Sequence, residues 1–257
     1  MCCIIKPFVS WNVAEVGAVT RERCGGQGYL LVNRVGEALG FSHAGTTAEG
    51  DNKVLTQKVA KELLADVSKG TYELPTLEIS EEDLPKVARI DDLTVLKSLI
   101  ALKLNLTTEA LVQSMGQKVL IEKRSLFEVW MQEDSDLVQQ VAHAYGDNLI
   151  FAHCCDMGKA GQWGNTNSAV MERLVVLYGL GIVEQNLAWY LFNGAVSPAM
   201  AKTLADVRSG VVKSLAPHVN GIVEGLKVGD PNSPIAGDYL EYNSKPNNGE
   251  LGPAPKL

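Results

Sequence analysis

Apolar residues recur along this chain at helical spacing, and that recurrence limits the fold more than any other feature. Leu55, Val59, Leu63 and Val67 return every fourth residue. Leu93, Leu96, Leu99, Ile100 and Leu104 form a second series, and Leu137, Val138, Val141, Tyr145 and Leu149 a third. Val170, Leu174, Leu177 and Tyr178 begin a fourth. Each series falls on one face of an α-helix. No convincing run alternates apolar and polar residues, and no Asn-Gly or Asp-Gly pair joins two such runs. Asn248-Gly249 sits instead in a Pro/Gly-rich tail. The expected class is all-α, built as packed helical bundles.

The series divide the chain into four stretches. Residues 1–69 hold a helix over Phe8–Arg23, a glycine-rich turn (CGGQGY, Cys24–Tyr29), a short apolar segment Leu30–Leu39, a loop Ser42–Asn52 and the Leu55 helix. Residues 70–92 contain Pro75, Pro85 and the acidic cluster Glu81-Glu82-Asp83, which predicts a connector. Residues 93–245 carry the remaining helices. Among them, Ser197-Pro198 pairs a good N-cap with a good first-turn residue and starts a helix reaching about Leu215. Residues 246–257 are a Pro/Gly-rich tail.

Charge and cysteine usage remove several functions. A net charge of −7 over 257 residues argues against a nucleic-acid surface, which needs clustered Lys and Arg. Cys2, Cys3, Cys24, Cys154 and Cys155 do not form a disulfide framework and point to a reducing, intracellular setting. The stretch MCCIIKPFVSW lacks the order of a secretory signal. The longest uncharged apolar run, Leu174–Val183, is about half of the ~20 residues a membrane span needs, so a core helix and no span are expected. No zinc-ligand spacing, serine elbow or Walker loop occurs. His153-Cys154-Cys155 is not read as a metal site, because adjacent helical residues point about 100° apart.

Two segments remain that chemistry could use. A glycine-rich turn such as CGGQGY lets a backbone approach a ligand closely, although on local physics alone a tight helix–helix corner is the favoured explanation. Ala48-Glu49-Gly50-Asp51-Asn52 opens the Leu55 helix. Thr46 and Thr47 are candidate caps there, and acidic residues suit a helix start whether or not they do chemistry.

Lys6-Pro7-Phe8-Val9-Ser10-Trp11, then CGGQGY, then TTAEGDNKVLTQK, in this order and separation, resemble the acyl-CoA oxidases of the acyl-CoA dehydrogenase superfamily. Leu174–Gly194, Leu215–Val219, Ile222–Leu226 and Ile235–Tyr239 resemble that family's closing segments more loosely. The resemblance implies the all-helical carboxyl-terminal half of the oxidase fold. It implies FAD as cofactor, a fatty acyl-CoA substrate, molecular oxygen as acceptor, trans-2-enoyl-CoA and hydrogen peroxide as products of β-oxidation, and a homodimer.

Carried over by position, Glu49 is the base that removes the α-proton. Gly25, Gly26, Gly28, Asp51 and Asn52 lie near the flavin, and Gly50 lets the loop pass close to substrate. A working base of this kind should be sheltered from water, since desolvation raises a carboxylate's basicity. The ending Pro255-Lys256-Leu257 resembles the tripeptide Ser-Lys-Leu read by the peroxisomal import receptor, which implies a peroxisomal location.

Three residues depart from the family pattern: Pro7 inside a helix where the family has an ordinary residue, Glu22 where a Gln or apolar residue is found, and Ala48 where an aromatic residue is common. The family's amino-terminal helical domain, β-domain and first bundle helices have no counterpart in the chain. A chain of this extent is expected to bind FAD weakly or not at all alone and to lack oxidase activity. The competing reading is a non-catalytic helical scaffold, or dimerisation module, that has lost the flavin domain.

Overall fold

The computed structural model describes residues 2–159 and 164–226. Ile235–Tyr239 and the Pro255-Lys256-Leu257 ending lie outside the described residues. Among the described residues there is no strand, so the all-α expectation holds. Two compact units divide the chain, Met1–Leu55 with Gly221–Leu257, and Thr56–Asn220. The division falls inside the Leu55 helix, between Leu55 and Thr56.

In the first unit, α1 spans Cys2–Arg23 and α2 spans Val35–Thr47. The first helix therefore starts six residues earlier than expected and takes Pro7 inside it, where proline leaves one carbonyl of the previous turn without its usual donor. By length and composition α1 is apolar enough to cross a membrane. The sequence reading counted uncharged runs, and Lys6 and Glu15 interrupt this one.

The stretch Ser42–Thr47, expected as loop, is the end of α2. Its poor helix formers are accommodated in two ways. The Ser42 and Thr46 hydroxyls donate to the carbonyls of Leu39 and His43 at 2.6 and 2.8 Å. Small residues also bring α1 and α2 together. A methyl on Gly17 would meet Leu39 Cδ1 at 3.2 Å, and one on Gly45 would meet Ser10 Cβ at 3.3 Å. The true loop is only residues 48–51, and α3 (Asn52–Lys69) follows it.

The second unit holds the core. It takes α3 from Thr56 onward, then α4 (Leu93–Met115), α5 (Leu126–Glu128), α6 (Ser135–Lys159), α7 (Gly164–Gln185), α8 (Leu187–Phe192) and α9 (Pro198–Leu215). The short α10 (Val219–Gly225) straddles the division at Asn220. Asp92 caps α4 by accepting from Thr94 N at 2.7 Å, and Ser197 caps α9 by accepting from Met200 N at 3.2 Å. Helix α4 packs against α6 and α7, and α9 packs on α7.

Leu96, Leu99, Leu104, Leu180, Val183 and Tyr190 are wholly buried. The stretch read as a plain connector also joins this core. Leu84 and Ile90 are buried, and Leu77, Ile79 and Val87 pack against the cluster. Ile79 N donates to Ser98 Oγ at 3.0 Å, and Asn105 Nδ2 donates to the Pro75 carbonyl at 2.9 Å. Most charges of residues 70–92 are exposed, Pro75 and Pro85 are half-buried, and Leu84 and Ile90 face inward.

Candidate functional site

All the residues singled out for chemistry belong to the first unit. The CGGQGY segment is where α1 stops. Gly25 takes φ +59°, the left-handed conformation that ends helices, and its N–H donates to the Glu22 carbonyl at 3.0 Å. Gly28 is buried against α1, where a methyl would sit 2.3 Å from the Arg21 carbonyl oxygen. Tyr29 lies with the Arg21 guanidinium 5.7 Å from its ring centre. Gly26 differs from both. It has an ordinary helical backbone, is exposed, and a methyl there would meet nothing. Folding explains why residues 25 and 28 are glycine but not why residue 26 is.

The Ala48–Asp51 loop is the second element. Glu49 has φ +58°, and Gly50 follows at +103°. A non-glycine residue in the left-handed region costs on the order of 1 kcal/mol and is held there only if its surroundings insist. The surroundings include Lys6 on α1. Its ammonium donates to the Gly50 carbonyl at 2.6 Å, to Asn52 Oδ1 at 2.7 Å and to the Thr46 carbonyl at 3.4 Å. Asn52, only 2% exposed, also donates to Ser10 Oγ at 2.9 Å. Ser10 in turn donates to the Lys6 carbonyl at 2.9 Å.

Asp51 caps α3 by accepting from Lys53 N at 2.9 Å and Val54 N at 3.3 Å. The cap is thus Asp51 and not Thr46 or Thr47. The threonines are consumed by the longer α2.

Placed this way, the expected site residues separate. Gly25, Gly26 and Gly50 lie on exposed main chain. Gly28 and Asn52 are buried, and Asn52 is committed to Lys6 and Ser10 rather than turned outward. Asp51 serves the helix start. Glu49 is exposed among the described residues, whereas the sequence led to the expectation of a sheltered carboxylate. Sequence reasoning noticed Lys6 only as part of a motif. Its three acceptors lie about forty residues away, a separation no local pattern reports.

The same unit exposes an apolar stripe along α1. Ile5, Val9, Val13, Val16 and Val19 are each 42–55% exposed. Beside them, α1 and α2 flank a groove of about 740 Å³, which includes Val13, Val16, Val35, Leu39 and Phe41.

An all-helical fold that ends one helix in CGGQGY and enters another through a strained Glu-Gly pair keeps the order of motifs by which the sequence resembles the acyl-CoA oxidases. The comparisons with known proteins agree. The family model described as "Acyl-CoA oxidase, C-alpha1 domain" matches residues 1–64, and the one described as "Acyl-CoA oxidase" matches residues 92–236. This chain belongs to the acyl-CoA oxidase family.

It is 25% identical over 263 residues to the peroxisomal acyl-coenzyme A oxidase 3 of Arabidopsis thaliana, covering 93% of this chain and 37% of that protein. It is 45% identical over 60 residues to the peroxisomal acyl-coenzyme A oxidase 2 of Arabidopsis thaliana, covering 23% of this chain and 9% of that one. Among solved structures, acyl-CoA oxidase 1 of Yarrowia lipolytica superposes with a TM-score of 0.84 at 17% identity, covering 99% of this chain and 39% of that one. Acyl-CoA oxidase-1 of Caenorhabditis elegans, complexed with FAD and ATP, gives a TM-score of 0.81 at 16% identity, covering 95% of this chain and 39% of that one. These likenesses establish the shared fold. The chain spans about two fifths of the relatives that it matches along most of its own length.

Proposed function

We propose that this chain supplies the base-bearing loop of a peroxisomal, FAD-dependent acyl-CoA oxidase. Glu49 takes the α-proton of a fatty acyl-CoA. The observation that carries the reading is its strained backbone, held at φ +58° on a loop pinned by Lys6 and followed by Gly50 at +103°. Strain of this kind gathers where a side chain must be aimed.

The loop's own chemistry follows from its geometry. Gly50, lacking a side chain, leaves room for a thioester to pass beside the carboxylate. A proton next to a thioester carbonyl is too weakly acidic for a hydrated carboxylate, so Glu49 works only once its exposed side is covered and dry. The Gly25–Gly26 edge fits a flat ring system, because its main chain is open and Gly26 carries no side chain that packing requires. Gly28, Asp51 and Asn52 would support that edge and loop from beneath rather than touch the cofactor. FAD, when bound, would accept the β-hydrogen as hydride and pass the electrons to oxygen, giving trans-2-enoyl-CoA and hydrogen peroxide.

The exposure of Glu49 and of the α1 stripe supports a division of labour. The covering parts of the site come from other portions of an oxidase, and the chain alone neither holds FAD in stoichiometric amount nor turns over. Peroxisomal naming of the relatives and the Pro255-Lys256-Leu257 ending support the location.

The test is co-expression with a matching amino-terminal half of an oxidase, followed by a peroxide assay. Wild type should turn over, and Glu49→Gln should lose about a thousandfold or more. Undiminished turnover in the variant would end the assignment of the base. The chain purified alone should lack a flavin band near about 450 nm. The same exposure of Glu49 favours a second reading, a helical scaffold that never meets flavin, and failure of the co-expressed wild type to retain flavin and turn over would select it.

A further inference from the structure

We propose that Lys6 is a positioning residue for the Glu49 loop, a clamp whose ammonium group sets the backbone geometry that aims the carboxylate. This deepens the reading of Glu49 as the base and rests on that reading for its catalytic consequence. The ammonium reaches three acceptors that bracket the loop. The Thr46 carbonyl, at 3.4 Å, belongs to the last turn of α2. The Gly50 carbonyl, at 2.6 Å, lies just after Glu49. Asn52 Oδ1, at 2.7 Å, belongs to the first turn of α3. One cation thus ties the end of one helix, the middle of the loop and the start of the next helix to α1.

The arrangement has a direction. The Gly50 carbonyl points to Lys6, which fixes the Gly50–Asp51 peptide plane, one residue beyond Glu49. With that plane fixed and Gly50 at φ +103°, Glu49 is held at φ +58° although the left-handed region disfavours any residue with a Cβ. Ser10 and buried Asn52 complete the seat by hydrogen bonding to each other at 2.9 Å. The geometry suits an ammonium, which offers three donors and no acceptor to three oxygens. Methionine fills the same length without donating. Arginine keeps the charge and several donors.

The consequence is energetic coupling between a side chain on α1 and the backbone of residue 49. Amide hydrogen exchange of the full chain reads it at Ala48, Lys53 and Leu55. Their N–H groups donate to the Ala44 carbonyl, Asp51 Oδ1 and the Asp51 carbonyl respectively. Lys6→Met should speed exchange at these three amides about tenfold or more, as expected for loss of charged hydrogen bonds. Amides in the middle of α4 should be unchanged. Lys6→Arg should return the three rates to within about threefold of wild type.

Glu49→Gly separates positioning from general support. With Lys6 present, the glycine relieves left-handed strain and should slow exchange about fivefold. With Lys6→Met the strain is no longer imposed, so the same change should shift the rates less than about twofold. Equal effects of Glu49→Gly in both backgrounds, or unaltered exchange in Lys6→Met, would overturn the clamp. These readouts do not depend on turnover. Loss of the base assignment through Glu49→Gln would therefore leave the clamp standing, and failure of the clamp would leave the base assignment standing.

Discussion

The two units of this chain keep their shape by different means. Among the described residues of the first unit, Ile4 is the one fully buried aliphatic side chain, accompanied by buried Pro7, Ser10, Gly28, Asn33 and Asn52. Its form comes from small-residue contact between α1 and α2 and from the polar seat around Lys6. The second unit buries a continuous cluster that runs from Leu84 through Leu99, Phe151 and Leu180 to Leu204. Apolar burial stabilises by roughly 25 cal/mol per Å², so the second unit carries most of the stability. The unit holding the candidate site has its apolar surface on the outside, ready to be covered. Most of the stability and the candidate site are housed apart.

Core truncation should break that contrast most visibly. Leu99 has no exposed surface, and its loss leaves a cavity between helices. Leu99→Ala should lower stability by about 2–5 kcal/mol in denaturant titration. Val13, 48% exposed on α1, should change stability by less than about 0.5 kcal/mol when replaced by alanine. Similar losses from the two changes would mean that the first unit is packed as tightly as the second.

A smaller effect sharpens the comparison through pH. Inside the second unit, Lys103 donates to Asn186 Oδ1 at 2.5 Å. Burial pushes the nearby Asp147 carboxyl up to about 6, only partly opposed by the positive charge of Lys103. Its ordinary unfolded value is about 3.9. Between about pH 4 and 6 the folded state therefore binds more protons than the unfolded state at this group, and stability falls as pH rises through that window. Asp147→Asn removes this contribution. The stability of the variant relative to wild type should climb by up to about 3 kcal/mol from pH 4 to 6 and level off above. A difference that stays flat across the window would show that Asp147 titrates as an ordinary carboxylate.

The same two means of stabilisation explain what the sequence could reveal. Helix α4 was legible because Leu96, Leu99 and Leu104 repeat along one buried face, and burial follows periodicity. Helix α9 was legible because Ser197 and Pro198 act locally. The end of α2 was not. Gly45, Thr46 and Thr47 are poor helix formers, and what keeps them helical is contact with Ser10 and hydroxyl bonding to the preceding turn. The connector's share in the core was not legible because its charges are conspicuous, while Leu77, Ile79, Leu84 and Ile90 are spaced irregularly. In the candidate site, motif spacing located Glu49 and the glycine turn. It could not assign Asn52 to the Lys6 seat, because that depends on a fold-level meeting of α1 with α3's first turn. Nor could it give the exposure of Glu49, which depends on what covers the loop.

The smallest effect is the most pointed. Gly26 needs neither a left-handed backbone nor the space of a missing side chain, since a methyl there meets nothing. Gly28 is the internal control, because a methyl there would lie 2.3 Å from the Arg21 carbonyl oxygen. Gly28→Ala should therefore destabilise the first unit, and Gly26→Ala should leave the chain's melting unchanged or raise it slightly. If the Gly25–Gly26 edge lies against the cofactor in an assembled oxidase, Gly26→Ala should still lower flavin retention there, read as the ratio of visible to protein absorbance. A stable variant that keeps its flavin would remove that edge from the proposed cofactor surface and leave the turn as nothing more than the corner that ends α1.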